Sequence, residues 1–187
     1  MCKVDIEKKY VEIKVYEESA EDKLNKQEYR YLLIKEWGAA DMVATVILYN
    51  PSDSTCLMYD KTVMNVENYL KKKGFNKIII LNLFAIKGKN SSIVAKRNEN
   101  YENENIKYIK EYIKDAKEIY LAWGYGKMNG ASYIKNKIEE VELIVKDNRK
   151  DNLDTVRGFA DEGQTNTKCH PQNMNIETWS DIEYDFL

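Results

Sequence analysis

Apolar positions through the middle of this chain switch repeatedly between two periods. Val43–Tyr49 is a nearly unbroken apolar run, which predicts a buried strand. Val63, Val66 and Leu70 then recur at helical spacing, which predicts a helix over Asp60–Lys73 that Gly74 stops. The run Ile78-Ile79-Ile80-Leu81 marks a strand over Lys77–Leu83. Ile106, Ile109 and Ile113 mark a helix over Asn103–Ala116, and Glu118–Trp123 reads as the next strand. Ile134, Ile138, Val141 and Val145 predict a helix over Ala131–Val145, followed by a weaker strand at Thr155–Ala160. Arg30–Trp37, before a Gly38-Ala39-Ala40 turn, is a further strand. Strands alternating with helices predict an α/β three-layer sandwich: a central, mostly parallel sheet of four or five strands with helices on both faces. Right-handed crossovers bring the carboxyl ends of such strands to one edge of the sheet, where ligands bind.

The ends of the chain carry weaker patterns. Residues 1–28 read as an N-terminal extension. In it Tyr10–Tyr16 alternates like a half-buried strand, while Ser19–Glu28 is charged and has no core pattern beyond Leu24. Residues 29–171 form the expected single α/β domain. The acidic tail 172–187, with Trp179, Tyr184 and Phe186, is expected to pack on that domain as a short helix or strap, and it offers a surface for a protein partner.

Composition narrows the class. A formal net charge of −2 over 187 residues excludes a strongly basic nucleic-acid coat, though not a local basic patch. No apolar run reaches the roughly 18 residues of a membrane span, and the start Met1-Cys2-Lys3-Val4-Asp5 lacks a secretory leader. Cys2, Cys56 and Cys169 are scattered and odd in number, and His170 is the one histidine. That usage predicts a cytoplasmic protein with no disulfide framework, no metal centre and no cofactor.

Candidate chemistry gathers at the predicted strand ends. Pro51 biases Asn50 out of the strand, so Asn50, Ser52 and Asp53 present an amide, a hydroxyl and a carboxylate. The same residues also suit a plain Asx or Ser turn. Asp60 is expected to cap the helix that follows. Asn82 closes a very apolar strand and needs a partner, since an unmade buried hydrogen bond costs about 1–3 kcal/mol. Tyr49, Phe84 and Trp123 offer rings to stack on a planar ligand or to fill the core, and Gly124 and Gly126 allow close backbone approach or a tight turn. The basic loop carrying Lys87, Lys89, Lys96 and Arg97 suits phosphate contact or plain solvation. Gly88-Lys89 is not a P-loop, because the upstream glycine is missing. His170, beside Pro171 in a polar loop, has a reference pKa of about 6.5 that suits an acid or a hydrogen-bond donor.

These elements together resemble the Domain of Unknown Function 1643 family. Its pattern L-N-P-S, D-x-T, N-L-F-A, A-W-G and H-P is similar to Leu48-Tyr49-Asn50-Pro51-Ser52, Asp60-Lys61-Thr62, Asn82-Leu83-Phe84-Ala85, Ala122-Trp123-Gly124 and His170-Pro171. The family usually has Thr-Ala-Asp where this chain has Asp53-Ser54-Thr55, and Arg where it has Cys169. The same order is more distantly similar to the uracil-DNA glycosylase superfamily. That likeness implies a uracil-DNA-glycosylase-like fold. It also implies that Asn50 positions the attacking water with Asp53 as an alternative base, that Asn82 reads the base edge, and that His170 stabilises the leaving base. Tyr49, Pro51, Ser52, Phe84, Trp123 and Gly124 would then line the ligand site. Gln172 stands where that superfamily commonly has Ser, and its DNA-inserting leucine has no counterpart here.

Three functions are compatible with these residues. The first is a glycosylase-like hydrolase of N-glycosidic bonds in DNA or nucleotides, with nucleic acid or a nucleotide as partner. The second is a non-catalytic binder of a nucleotide or modified base, in phage defence or counter-defence. The third is a partner-binding protein that uses the acidic tail.

Overall fold

The computed structural model describes residues 13–37, 41–52, 60–124, 130–160, 169–173 and 177–186. The expected turn at Gly38-Ala40, Asp53, Gly126 and the start of the Tyr10–Tyr16 strand lie outside them. Seven strands form one mixed sheet in the order β1-β2-β4-β3-β5-β6-β7. They are β1 (Ile13–Asp22), β2 (Gln27–Trp37), β3 (Val43–Leu48), β4 (Lys77–Asn82), β5 (Glu118–Leu121), β6 (Val156–Ala160) and β7 (Ser180–Glu183). Parallel pairings join β3 to β4, β3 to β5 and β5 to β6. Antiparallel pairings join β1 to β2, β2 to β4 and β6 to β7.

This corrects the expected four- or five-stranded, mostly parallel sheet. Two more strands, from the stretches read as an extension and a tail, form its edges. β1 runs on through the charged Ser19–Asp22, because an edge strand is held by backbone bonds to its neighbour and needs little apolar pattern. A tight turn with Lys26 at φ 53° joins it to β2. β7 is too short for a period to be read and is held against β6 from Arg157↔Glu183 to Ala160↔Ser180.

Side chains alternate between two cores. Ala44, Val46, Leu48, Ile78, Ile80, Tyr120 and Phe159 pack beneath Val63, Val66, Tyr69 and Leu70 of α1 (Lys61–Lys72). Ile47, Tyr49, Ile79, Leu81, Ile119 and Leu121 face the opposite way. They pack beneath Ile106 and Ile109 of α2 (Glu99–Tyr112) and Ile134, Ile138, Val141 and Val145 of α3 (Ser132–Arg149). Gly74, at φ +93°, turns the chain out of α1 toward β4. None of the described helices is long and apolar enough to cross a membrane.

The chain leaves β3 for β4 on one side and leaves β5 for β6 on the other. The carboxyl ends of the neighbouring strands β3 and β5 therefore flank a topological switch point, where open α/β sheets place ligands.

Candidate functional site

At the β3 exit the chain passes through Tyr49 and Asn50 to Pro51 while still bonded to the next strand's end. Leu83 N–H donates to the Leu48 carbonyl at 2.8 Å, Phe84 N–H to Tyr49 at 3.0 Å and Gly88 N–H to Pro51 at 2.9 Å. Asn50 Nδ2 donates to the carbonyls of Gly88 at 2.9 Å and Pro51 at 3.1 Å. Both contacts use the amide nitrogen, and the amide oxygen Oδ1 can act as an acceptor. Ser52 Oγ bonds Asp60, and Asp60 Oδ1 accepts from Val63 N–H at 2.7 Å. Asp60 is thus the N-cap of α1, in the extended conformation a cap requires.

Asn82 pairs in register with Leu48. Ile78 and Ile80 belong to the core beneath α1, so alternation turns the Asn82 side chain to that same face. It is 0% exposed, and among the described residues neither Oδ1 nor Nδ2 has a hydrogen-bond partner. On the other face Phe84 meets Tyr49 edge-on at 5.6 Å and Tyr133 at 6.3 Å. The Arg97 guanidinium lies over Tyr133 at 4.2 Å and over Phe84 at 5.8 Å. Burial in this aromatic corner pushes the Tyr49 hydroxyl up to about 12.

His170 meets the β5 exit. Gly124 has φ +91°, and a Cβ built on it would stand 3.1 Å from His170 Cβ. The loop is pinned from two sides and bonded once within itself. Cys169 N–H donates to the Phe159 carbonyl at 3.3 Å. Asn65 Nδ2 of α1 donates to the Pro171 carbonyl at 2.9 Å. Gln172 N–H donates to His170 Nδ1 at 3.2 Å. With Nδ1 accepting, the donor of the ring is Nε2–H.

The edge therefore gathers Asn50, Pro51, Ser52, Asn82 and Gly124, with His170 against Gly124. Tyr49 and Phe84 stand there too but are closed into the core beneath α2 and α3. Trp123 is turned into that core by strand alternation and meets Tyr184 edge-on at 6.0 Å, with no partner on Nε1 among the described residues. The basic residues diverge. Lys87 is bound to Glu28 at 2.8 Å and Arg97 to Glu99 at 2.7 Å, while Lys89 and Lys96 are exposed. Ser91–Lys96 is a short 3-10 helix capped by Asn90, where the sequence reads as loop. Among the described residues no group of three His, Cys, Asp or Glu side chains is placed to hold a metal ion.

Sequence reasoning missed Asn65, Tyr133, Glu102 and Asn105. The last two were detectable. Glu102 and Asn105 sit four residues before Ile106 and Ile109, so both fall on the apolar stripe of α2.

The contact at Gly124 yields a direct test. Gly124→Ala is expected to cost about 1–2 kcal/mol for the left-handed backbone alone and to push the His170 loop outward. Chemical denaturation reads the first effect, and the single imidazole signal in an NMR spectrum reads the second. An unmoved imidazole signal in the variant would show that the two residues are not in contact.

No curated protein and no solved structure is significantly similar to the chain. One family model does match, over residues 30–172, which takes in every motif at the carboxyl edge of the sheet; its description is Protein of unknown function (DUF1643), and the chain belongs to that family.

Proposed function

We propose that this protein recognises a nucleobase or nucleotide and hydrolyses N-glycosidic bonds in DNA or nucleotides, on a uracil-DNA-glycosylase-like framework. The observation that supports the reading is the Asn82 amide: fully buried, at the carboxyl edge of the sheet, with both polar atoms unpartnered among the described residues. A carboxamide offers one donor and one acceptor side by side, which matches the alternating groups on a base edge. Such a partner would remove a desolvation penalty of about 1–3 kcal/mol per unsatisfied group.

The chemistry follows from the groups on either side. Asn50 Oδ1 accepts a hydrogen bond from a water and aims its oxygen at the sugar C1′. The C1′–N bond breaks, its electron pair leaves with the base, and the sugar carbon takes the water oxygen. His170 Nε2–H donates to the base as negative charge develops, and the water's proton passes to solvent or to the departing base. Placing fixed dipoles where charge appears is the main catalytic device here. In DNA the target base would have to leave the stack to reach Asn82.

Asn50→Ala or His170→Ala is expected to lower base release by 100-fold or more, in line with loss of one preorganised donor or acceptor. The measurement is chromatography of free base from a panel of modified DNA, RNA and free nucleotides. Folded wild-type protein that releases no base from any of them ends the hydrolase reading.

A second reading, a non-catalytic binder of a nucleotide or modified base in phage defence or counter-defence, is favoured by one detail. Asn50 orients water but cannot take its proton, and Asp60 is committed to Ser52 and the α1 cap. Mass spectrometry of ligand that co-purifies from cells separates the two: intact nucleotide supports binding, and free base supports hydrolysis.

A further inference from the structure

The segment Asn82–Ile86 carries the Asn82 amide and the Phe84 ring, yet β4 ends at its first residue. Its later backbone groups must find partners off the regular ladder. Leu83 and Phe84 N–H still reach the β3 end, and the Ala85 carbonyl accepts from Arg30 N–H at 2.9 Å. Four further groups go to one face of α2. Asn105 Nδ2 donates to the Asn82 carbonyl at 2.9 Å and the Leu83 carbonyl at 3.4 Å. Glu102 accepts from Ala85 N–H at 3.1 and 3.0 Å through its two oxygens, and from Ile86 N–H at 3.4 Å. Both side chains are 0% exposed. One turn of helix thus holds carbonyls at the start of the segment and N–H groups at its end.

We propose that Glu102 and Asn105 are a positioning pair, which sets the Asn82 amide and the Phe84 ring through the backbone between them without touching ligand. The ligand itself rests on the nucleobase reading; the positioning does not.

A neutral acceptor would satisfy the Ala85 and Ile86 N–H groups as well. A buried carboxylate does something a neutral group does not, because its grip depends on its charge. Ionised, Glu102 is acceptor-only and takes every N–H presented to it. Protonated, one oxygen carries a hydrogen that opposes them. Burial is the largest influence on Glu102 and raises its pKa to about 7; the bonds from Ala85 and Ile86 and the charge of Lys137 on α3 pull the other way, and Glu99 on α2 adds to the rise. The β2 phenols Tyr29 and Tyr31 also face it, and its charge contributes to their raised pKa values. The segment is therefore gripped above neutrality and loosened below it.

Nitrogen-15 NMR of the full chain, without ligand, tests this between about pH 5.5 and 8.5. The Ala85 and Ile86 amides and the Asn82 side-chain amide are expected to shift together, with one midpoint near 7, and to lose that titration in Glu102→Gln. The carbon-13 carboxyl signal of Glu102 in the wild type gives the same comparison without a substitution. An Asn82 signal that is flat over this range, that titrates unchanged in Glu102→Gln, or whose midpoint differs from that of Glu102 overturns the proposal. Binding of a uracil-containing single-stranded oligonucleotide, followed over the same range, separates the two ideas. A chain that titrates as expected but binds neither this probe nor any member of the panel of modified DNA, RNA and nucleotides keeps the positioning pair and loses the nucleobase reading.

Discussion

Asn82→Leu should give a protein more stable than its parent but with weaker base binding. Leucine has the same forked shape beyond Cβ as asparagine but no polar atoms. The substitution deletes two buried groups that have no partner, each costing about 1–3 kcal/mol. Against that stands the extra bulk of two methyl groups in a packed site, typically about 1–3 kcal/mol. The expected net is a gain of about 1 kcal/mol, or about 2–4 °C in Tm for a chain of this size. Base binding should fall at the same time by about tenfold to a hundredfold, the value of one bidentate amide–base contact. A gain in stability with a loss of function marks a residue kept for its ligand. Asn82→Asp is the control. It places a carboxylate in the same buried position and should destabilise the fold strongly, because a buried unpaired charge is costly. Thermal melts of the three proteins decide the matter: a leucine variant several kcal/mol less stable than the parent would mean that the amide holds the fold together.

How much of this was legible beforehand depended on what holds each part. Strands β3, β4 and β5 and the helices are held by apolar burial, which writes its period into the sequence. Val63, Val66 and Leu70 lie buried on α1, and Ile134, Ile138, Val141 and Val145 on α3, at the spacing that predicts them. Ser19–Asp22 is held by backbone pairing at the sheet edge, and Ser180–Glu183 by such pairing together with the polar bonds of Asp181, so neither carries a readable apolar pattern. The candidate site divides in the same way. Its strand-end residues follow from chain order and crossover geometry, since a parallel arrangement must bring Asn50, Asn82 and Gly124 to one edge. The side-chain direction of Trp123 and Phe84 depended on strand register, and the partners of Lys87 and Arg97 on folded distances that composition does not reveal. Glu102 and Asn105 act on backbone groups left over where β4 ends, so their role is visible only once every N–H and carbonyl of Asn82–Ile86 has been assigned a partner.

The second large effect is expected far from that edge, at Asp181. Asp181→Ala should cost about 3 kcal/mol or more, because one buried carboxylate ties the short strand β7 to three residues of two other elements, α1 and β6. Its Oδ2 accepts from Lys73 at the end of α1 at 2.9 Å and from Arg157 of β6 at 2.8 Å, and its Oδ1 accepts from the Tyr69 hydroxyl at 2.5 Å. Arg157 also donates to the Asp181 carbonyl at 3.1 Å, which fixes the strand register as well as the charge. Without the carboxylate, Lys73 keeps Glu118 at 3.1 Å, but Arg157 loses its carboxylate partner and Tyr69 its acceptor. Four residues of backbone pairing cannot hold β7 alone, so the loss should spread to Tyr184, which follows it into the core and donates to Glu142 at 2.8 Å. The pH dependence has a definite sign. Burial by itself would raise the Asp181 pKa, but the bonds from Tyr69, Lys73 and Arg157 outweigh it and hold the group below the usual carboxylate range. A depressed carboxylate stabilises the fold above its unfolded pKa of about 4, and the stabilisation disappears as pH falls through the lower folded value. Wild type and Asp181→Ala should therefore differ most at neutral pH and converge in acid, as urea titrations at pH 7 and pH 3 would measure. A gap between them that stays constant with pH would assign the loss to packing and leave the ion network without a role.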